Sequence, residues 1–243
     1  VAAPLWAADA PGLVDAPVGP GTRNFADESV EQAAMTTEER DRSMALGAQR
    51  VAHHAALGTN VIALGEMGIA NTASAACLMA RLCNLPVAQC VGRGTGLDDD
   101  GLAHKRAVLE SAMARHADAS EPLDVLACFG GFEVAAMVGA VLEGAQRRMV
   151  ILVDGFIATA AVLVAAHVAP DVLRFCVFGH VSDERGHRML LDALQARPLL
   201  SLSMRLGEGS GAVLAYPLLV SAVAFLREMA TFASAGVSEQ SAP

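Results

Sequence analysis

The feature that most constrains this chain is a repeated cadence: a short apolar run, a turn carrying glycine and an acidic or polar residue, then apolar residues at helical spacing. The apolar runs lie at 60–64, 125–129, 150–153, 175–178 and 199–204. They lead into Gly65-Glu66-Met67-Gly68, Gly130-Gly131-Phe132-Glu133, Asp154-Gly155-Phe156, Gly179-His180-Val181-Ser182 and Gly207-Glu208-Gly209-Ser210-Gly211. Helical patterns follow at 73–82, from 102, at 134–146, 159–167, 189–194 and 212–228. Such a cadence predicts an α/β fold with a doubly wound, mostly parallel sheet and helices on both faces. Every strand-to-helix turn then falls on one edge of the sheet, where open α/β folds bind their ligands. Glu66, Gly94, Gly130, Asp154, Ser182 and Glu208 are each expected to follow a strand and to share that crevice.

Composition narrows the class of function. The chain has 243 residues, 53% of them hydrophobic, and 22 glycines, enough for a substantial core. A net charge of −9 argues against nucleic acid or an anionic membrane as the main partner. Lys105 is the only lysine. Five cysteines without a C-x-x-C pair or a His-rich spacing read as reduced residues of a cytoplasmic protein. The apolar stretch at 157–168 is too short to span a bilayer, and the first residues lack the basic and apolar regions of a signal peptide. No membrane insertion is expected. The chain opens on Val1 rather than Met, which reads as the loss of the front of a longer protein. Residues 1–35 are expected to form a linker and the remnant of a small domain, 36–211 the α/β domain, and 212–243 a C-terminal helix and a polar tail without structure. Thr36-Thr37-Glu38-Glu39 marks a helix start with a capping carboxylate, running to about residue 56 with Met44, Leu46, Ala48, Val51 and Ala55 near its inner face.

Individual residues leave alternatives open. Glu208 is either a catalytic carboxylate or merely a negative side chain favoured at a helix start. Gly68, Asn71 and Thr72 lie where backbone N–H groups and side chains can hold a phosphate, yet the stretch is neither a Walker sequence nor a dinucleotide fingerprint. Lys105 follows the Gly92-Arg93-Gly94-Thr95-Gly96 turn and is either a phosphate ligand or a surface lysine. Asp98-Asp99-Asp100 reads as the flank of a helix, with no metal implied. His180 and His187 near Ser182 suggest a hydrolase triad, but no nucleophile elbow is present.

Taken in order, Gly65-Glu66-Met67-Gly68-Ile69-Ala70-Asn71-Thr72, Gly92-Arg93-Gly94-Thr95-Gly96 with Lys105, Val153-Asp154-Gly155-Phe156, Gly179-His180-Val181-Ser182 and Met204-Arg205-Leu206-Gly207-Glu208-Gly209-Ser210-Gly211 resemble the nicotinate-nucleotide–dimethylbenzimidazole phosphoribosyltransferases. The resemblance spans residues 21–236. It implies a Rossmann-like domain with a small helical subdomain, a homodimer, and no cofactor or metal. It also implies transfer of the phosphoribosyl group of nicotinate mononucleotide to 5,6-dimethylbenzimidazole, a step in cobalamin lower-ligand synthesis. By motif, Glu208 becomes the general base, for which partial burial is expected. Gly68, Asn71, Thr72 and Gly94 become phosphate or ribose ligands, and Lys105, Asp154 and Ser182 complete the nucleotide pocket. Glu66 assists near the base or ribose; beyond what the resemblance implies, the Gly207 and Gly209 amides are inferred as further backbone donors. Two alternatives stand beside this: transfer to another base or a phenolic acceptor, and a truncated homologue that binds nucleotide without turnover. The chain departs from the family at Ala70, where a third glycine is usual; its methyl disfavours a positive φ by about 1 kcal/mol. It departs also at Asp183-Glu184, where a small residue commonly precedes the glutamate, and in lacking the family's N-terminal portion.

Overall fold

A computed structural model describes residues 12–29, 32–94, 96–232 and 234–236. The first part of the expected linker, Thr95 and the polar tail at 238–243 lie outside these residues. In chain order the elements are α1 (Thr37–Ala56), β1 (Val61–Leu64), α2 (Thr72–Leu82), α3 (Val87–Cys90), α4 (Asp99–Arg115), α5 (Pro122–Phe129) and α6 (Phe132–Gln146). There follow β2 (Val150–Val153), α7 (Phe156–Val168), a 3-10 turn (Pro170–Phe175), β3 (Cys176–Phe178), β4 (His180–Ser182), α8 (Arg185–Ala193), β5 (Leu200–Met204) and α9 (Ser210–Glu228).

All strand pairings are parallel. β2 lies between β1 and β3, with Leu64 beside Val153 and Val153 beside Phe178. β4 pairs with β5. Only Gly179 separates β3 from β4, and Leu199 N–H and Leu200 N–H donate to the carbonyls of Phe178 and Gly179. The two short strands thus form one bent strand that joins the two ladders. Side chains alternate across the sheet. The Gly144 turn of α6 lies against Ile62 and Ile151 on one face, and Ala212, Val213 and Tyr216 of α9 adjoin Val61, Ala63 and Leu152 on the other. Helices on both faces and a parallel sheet are what the cadence of the sequence predicts.

The start of α1 follows from its sequence. Thr36 accepts from Glu39 N–H, and the Glu39 carboxylate accepts from Thr36 N–H at 2.7 Å, closing the capping box. Its buried face, however, is Arg40, Ser43, Gly47 and Val51, rotated from the expected stripe. The reason is close approach: a Cβ on Gly47 would stand 1.8 Å from the Ala136 carbonyl oxygen of α6, and one on Gly139 1.9 Å from that of Met44. Backbone-to-backbone packing selects small residues there in place of the larger apolar ones.

Residues 125–129 form a helix, not the expected strand. Pro122 occupies its first turn, and Val125, Leu126 and Phe129 are buried at helical spacing. A five-residue apolar run carries no period that separates a buried strand from a buried helix. Gly130 therefore joins two helices, and Gly94 follows the short α3, so neither caps a strand. The apolar stretch at 157–168 is the centre of the core: α7 is buried continuously from Phe156 to Ala166. It also starts three residues before the expected 159, directly after Gly155.

In α9 only Gly211, Ala212 and Ala215 are buried. By length and composition alone α9 is apolar enough to cross a bilayer, the one such helix among the described residues. Its first turns are nevertheless seated on the sheet beside the ends of β2 and β4.

Candidate active site

The ends of β1, β2, β4 and β5 open into one cleft of about 290 Å³, at the small end for a ligand site. Its walls include Glu66, Gly68, Thr72, Gly94, Asp154, Ser182 and Gly207. Seven of the residues expected from the sequence are thus brought together, even though Gly94 arrives from a helix end. Each wall has a local cause.

The β1 end delivers Gly65 and Glu66. A Cβ on Gly65 would stand 2.1 Å from the Gly209 nitrogen, so only glycine lets the first and last loops of the cleft touch. Glu208 N–H then donates to the Glu66 carbonyl at 2.8 Å, tying the two loops. The Glu66 carboxylate turns back to accept from Gly68 N–H, so it serves its own loop. Ala70 adopts φ 67°, the conformation its methyl disfavours. Asn71, one residue before α2, is buried and donates through Nδ2 to Glu133 Oε1 at 3.2 Å, while its Oδ1 has no partner. It lies beside the cleft rather than in its lining.

Lys105 approaches from α4. Its Nζ donates to Thr72 Oγ1 at 3.0 Å, and a Cβ on Gly94 would lie 3.7 Å from it. It is therefore a half-buried ammonium behind the Thr72 and Gly94 wall, not a free surface lysine. Burial pushes its pKa down, partly offset by the nearby Glu184 charge. Glu184 lines the cleft from the start of α8; burial pushes its carboxyl up, and Lys105 and Arg205 partly offset that. The acidic run before α4 has an ordinary explanation: Asp98 accepts from Gly101 N–H at 2.8 Å as a helix cap, and Asp99 pairs with Arg93.

The floor is the start of α7, where Gly155, Phe156, Ile157 and Ala158 line the cleft. The first N–H groups of this 13-residue helix lack partners within the helix, and their partial positive charge suits an anion. Ser182, 9% exposed, adds an Oγ without a hydrogen-bond partner. His187 does not pair with that hydroxyl. Its Nδ1 accepts from the Ser182 amide at 2.9 Å, and its Nε2 lies 3.0 Å from Thr159 Oγ1, which donates to the Gly155 carbonyl. This chain assigns the neutral tautomer protonated at Nε2, and burial pushes the pKa of His187 down to about 3. A triad is excluded by this geometry.

Asp154 is 1% exposed at the end of β2. Burial opposes its charge, yet His180 and the amides of Gly211 and Gly209 more than offset that and hold its pKa below the ordinary value. Gly207, Glu208 and Gly209 all have positive φ, 78°, 58° and 81°. Glu208 is exposed on the turn next to the Gly207 wall, not partly buried as expected. Three successive residues with positive φ leave Glu208 exposed and return the chain to the buried Gly209 before α9 begins. Sequence reasoning missed His180, Glu184, Arg205 and Phe156 as lining residues. A signal existed for each: His180 and Phe156 lie in turns that follow apolar runs, Glu184 comes two residues after Ser182, and Arg205 precedes Glu208 within the same motif.

Comparison with known proteins places this arrangement. A family model described as phosphoribosyltransferase matches residues 2–237. The chain is 77% identical over 243 residues to the nicotinate-nucleotide–dimethylbenzimidazole phosphoribosyltransferase of Ralstonia nicotianae, covering all of this chain and 68% of that protein. With the protein of the same name from Cupriavidus necator the identity is 64% over 241 residues, covering 99% of this chain and 68% of that one. The crystal structure of CobT from Thermus thermophilus superposes with a TM-score of 0.87 at 45% identity, covering 96% of this chain and 68% of that one. The chain thus spans about two thirds of the length of these relatives.

Proposed function

Because the chain belongs to this phosphoribosyltransferase family, we propose that it transfers the phosphoribosyl group of nicotinate mononucleotide to 5,6-dimethylbenzimidazole, giving α-ribazole 5′-phosphate and nicotinate for the lower ligand of cobalamin. The observation that carries this reading is the cleft that gathers seven of the residues matched by motif, with Gly207, the neighbour of Glu208, in its wall.

The phosphate is assigned to the first amides of α7, with Ser182 Oγ and Lys105 as its side-chain donors. Ser182 is a buried hydroxyl without a partner that lines the cleft, and Lys105 is held behind the cleft wall by Thr72. The half-buried Glu184 carboxylate partly offsets the burial that pushes the Lys105 pKa down. Gly68 and Gly94, both with positive φ, allow backbone to approach the ribose closely. Glu208 takes the N–H proton of the benzimidazole ring, which raises the nucleophilicity of the other ring nitrogen. That nitrogen attacks the anomeric carbon as the bond to the pyridinium nitrogen breaks. The bonding pair returns to the pyridine ring, which leaves neutral, and the configuration inverts from β to α. No cofactor or metal is required, because the leaving group already carries the positive charge that departure cancels.

We infer further a cytoplasmic homodimer built on α9, a reading supported by the exposure of Leu226 (88%) and Phe225 (66%). With Val213, Leu214, Leu218 and Val223 also exposed, α9 carries more bare apolar side chains than one solvated helix holds.

The test is nicotinate release from nicotinate mononucleotide, followed by chromatography, with a panel of acceptors. Release that depends on 5,6-dimethylbenzimidazole and yields the α-configured product supports the reading. Release only with another base or a phenol reassigns the acceptor, and release with none contradicts transfer.

A further inference from the structure

Both oxygens of the Asp154 carboxylate are taken up by one turn. Gly209 N–H donates to Oδ2 at 3.0 Å and Gly211 N–H to Oδ1 at 2.7 Å. Among the described residues this is the one side chain hydrogen-bonded to the turn that carries Glu208. The turn needs such a restraint. A non-glycine residue is disfavoured in the left-handed region, where its Cβ crowds the following carbonyl oxygen, and Glu208 sits there between two glycines that are there too. Strained backbone of this kind persists only where its surroundings over-determine it. The backbone supplies two further bonds, Glu208 N–H to the Glu66 carbonyl and Ser210 N–H to that of Gly207. On the far side, His180 Nε2 lies 3.3 Å from Asp154 Oδ1, and His180 is 1% exposed. The three groups leave no room between them: a Cβ on Gly211 would stand 2.0 Å from His180 Cδ2 and 2.7 Å from Asp154 Oδ1.

We propose that Asp154, steadied by His180, is a positioning residue for the transfer: its buried carboxylate clamps the Gly209 and Gly211 amides and so fixes Glu208 at the rim of the cleft. The inference rests on the base role given to Glu208 above. It differs from the role implied by the motif match, in which Asp154 completes the nucleotide pocket. A carboxylate suits the task because two N–H donors require two acceptor oxygens. Asparagine has the same shape but offers one oxygen and an NH₂ group, which would face an amide N–H and leave that donor unsatisfied.

The experiment is Asp154→Asn, read by steady-state kinetics and by ¹H–¹⁵N spectra of the same protein. The expected result is a fall in kcat of about a hundredfold, the usual effect of loosening a reacting group by about 1 Å. The Michaelis constant for nicotinate mononucleotide stays within about threefold of its original value. The amide protons of Gly209 and Gly211 lose their carboxylate partner, move upfield and exchange faster. An unchanged kcat with a Michaelis constant raised tenfold or more would make Asp154 a nucleotide ligand and overturn the proposal. So would unchanged Gly209 and Gly211 amides, a result that can be read even if the unaltered protein shows no turnover. Absence of turnover in the unaltered protein, by contrast, overturns the functional reading alone. Should Asp154→Asn fail to fold, His180→Ala and His180→Gln decide the matter. The alanine variant is expected to lose kcat, and glutamine, whose amide nitrogen reaches the place of Nε2, to recover most of it. Equal losses in both variants contradict the clamp.

Discussion

Lys105 shows how much a single residue depends on the fold for its meaning. As the only lysine in 243 residues it stands out in the sequence, but its contact with Thr72 and its place behind Gly94 come from elements far apart in the chain. With the ammonium serving the phosphate, Lys105→Ala is expected to raise the Michaelis constant for nicotinate mononucleotide about tenfold or more, since hydrogen bonds to charged groups contribute about 1.5–3 kcal/mol. An unchanged constant in initial-rate measurements would count against that role. His187 supplies a prediction on stability. Its pKa is about 3 in the folded chain against an ordinary 6.5, so between these values the unfolded chain binds a proton that the native state does not. Stability is therefore undiminished above about pH 6.5 and falls as the pH drops towards 3, by about 1.4 kcal/mol per unit at its steepest. Urea denaturation at pH 7.5 and 5.5 should show a loss of about 1.4 kcal/mol, and His187→Gln should flatten that dependence. Ala70, at φ 67°, is the converse case, a residue whose substitution improves its backbone. Ala70→Gly is expected to raise the unfolding midpoint by an increment equivalent to up to about 1 kcal/mol, the relief of strain outweighing the added freedom of the unfolded chain. A lowered midpoint would show that the loop holds this conformation without strain.

At the scale of elements, what could be read from the chain depended on whether a local signal existed. The capping box at Thr36 and Glu39 is complete within four residues and was legible. So were β1, β2 and β5, each bounded by a turn that follows from its glycines. The segment 125–129 was not, because its helical character comes from Pro122 ahead of it and from burial against other helices, not from its own five residues. The true start of α7 was missed for a similar reason. Gly155 permits the helix to begin at once, and the sequence carries no side-chain cap to announce it. That omission matters, because those first amides form the floor of the cleft. Of the site, the glycine turns and the acidic residues were visible in the sequence. The histidine chain from Ser182 through His187 and Thr159 to Gly155 was not, since its members meet only after three elements have packed.

For the whole molecule, the sheet converts turns separated by about 140 residues, from Glu66 to Glu208, into adjacent backbone joined at 2.8 Å. The same organisation leaves α9 fastened by its first turns and bare beyond them. With a second copy covering that face, light scattering on the eluted protein should report twice the mass of the chain, and Phe225→Glu with Leu226→Glu should reduce it to one. A single-chain mass before substitution would contradict the dimer. In the proposed reaction, one exposed carboxylate on a clamped turn removes a proton from the incoming base. The most direct test is the turnover of Glu208→Gln relative to the unaltered protein in base-dependent nicotinate release. A general base of this kind contributes about 10²–10⁴-fold, and a loss in that range is the expected result. Retention of more than about a tenth of the original rate would contradict it.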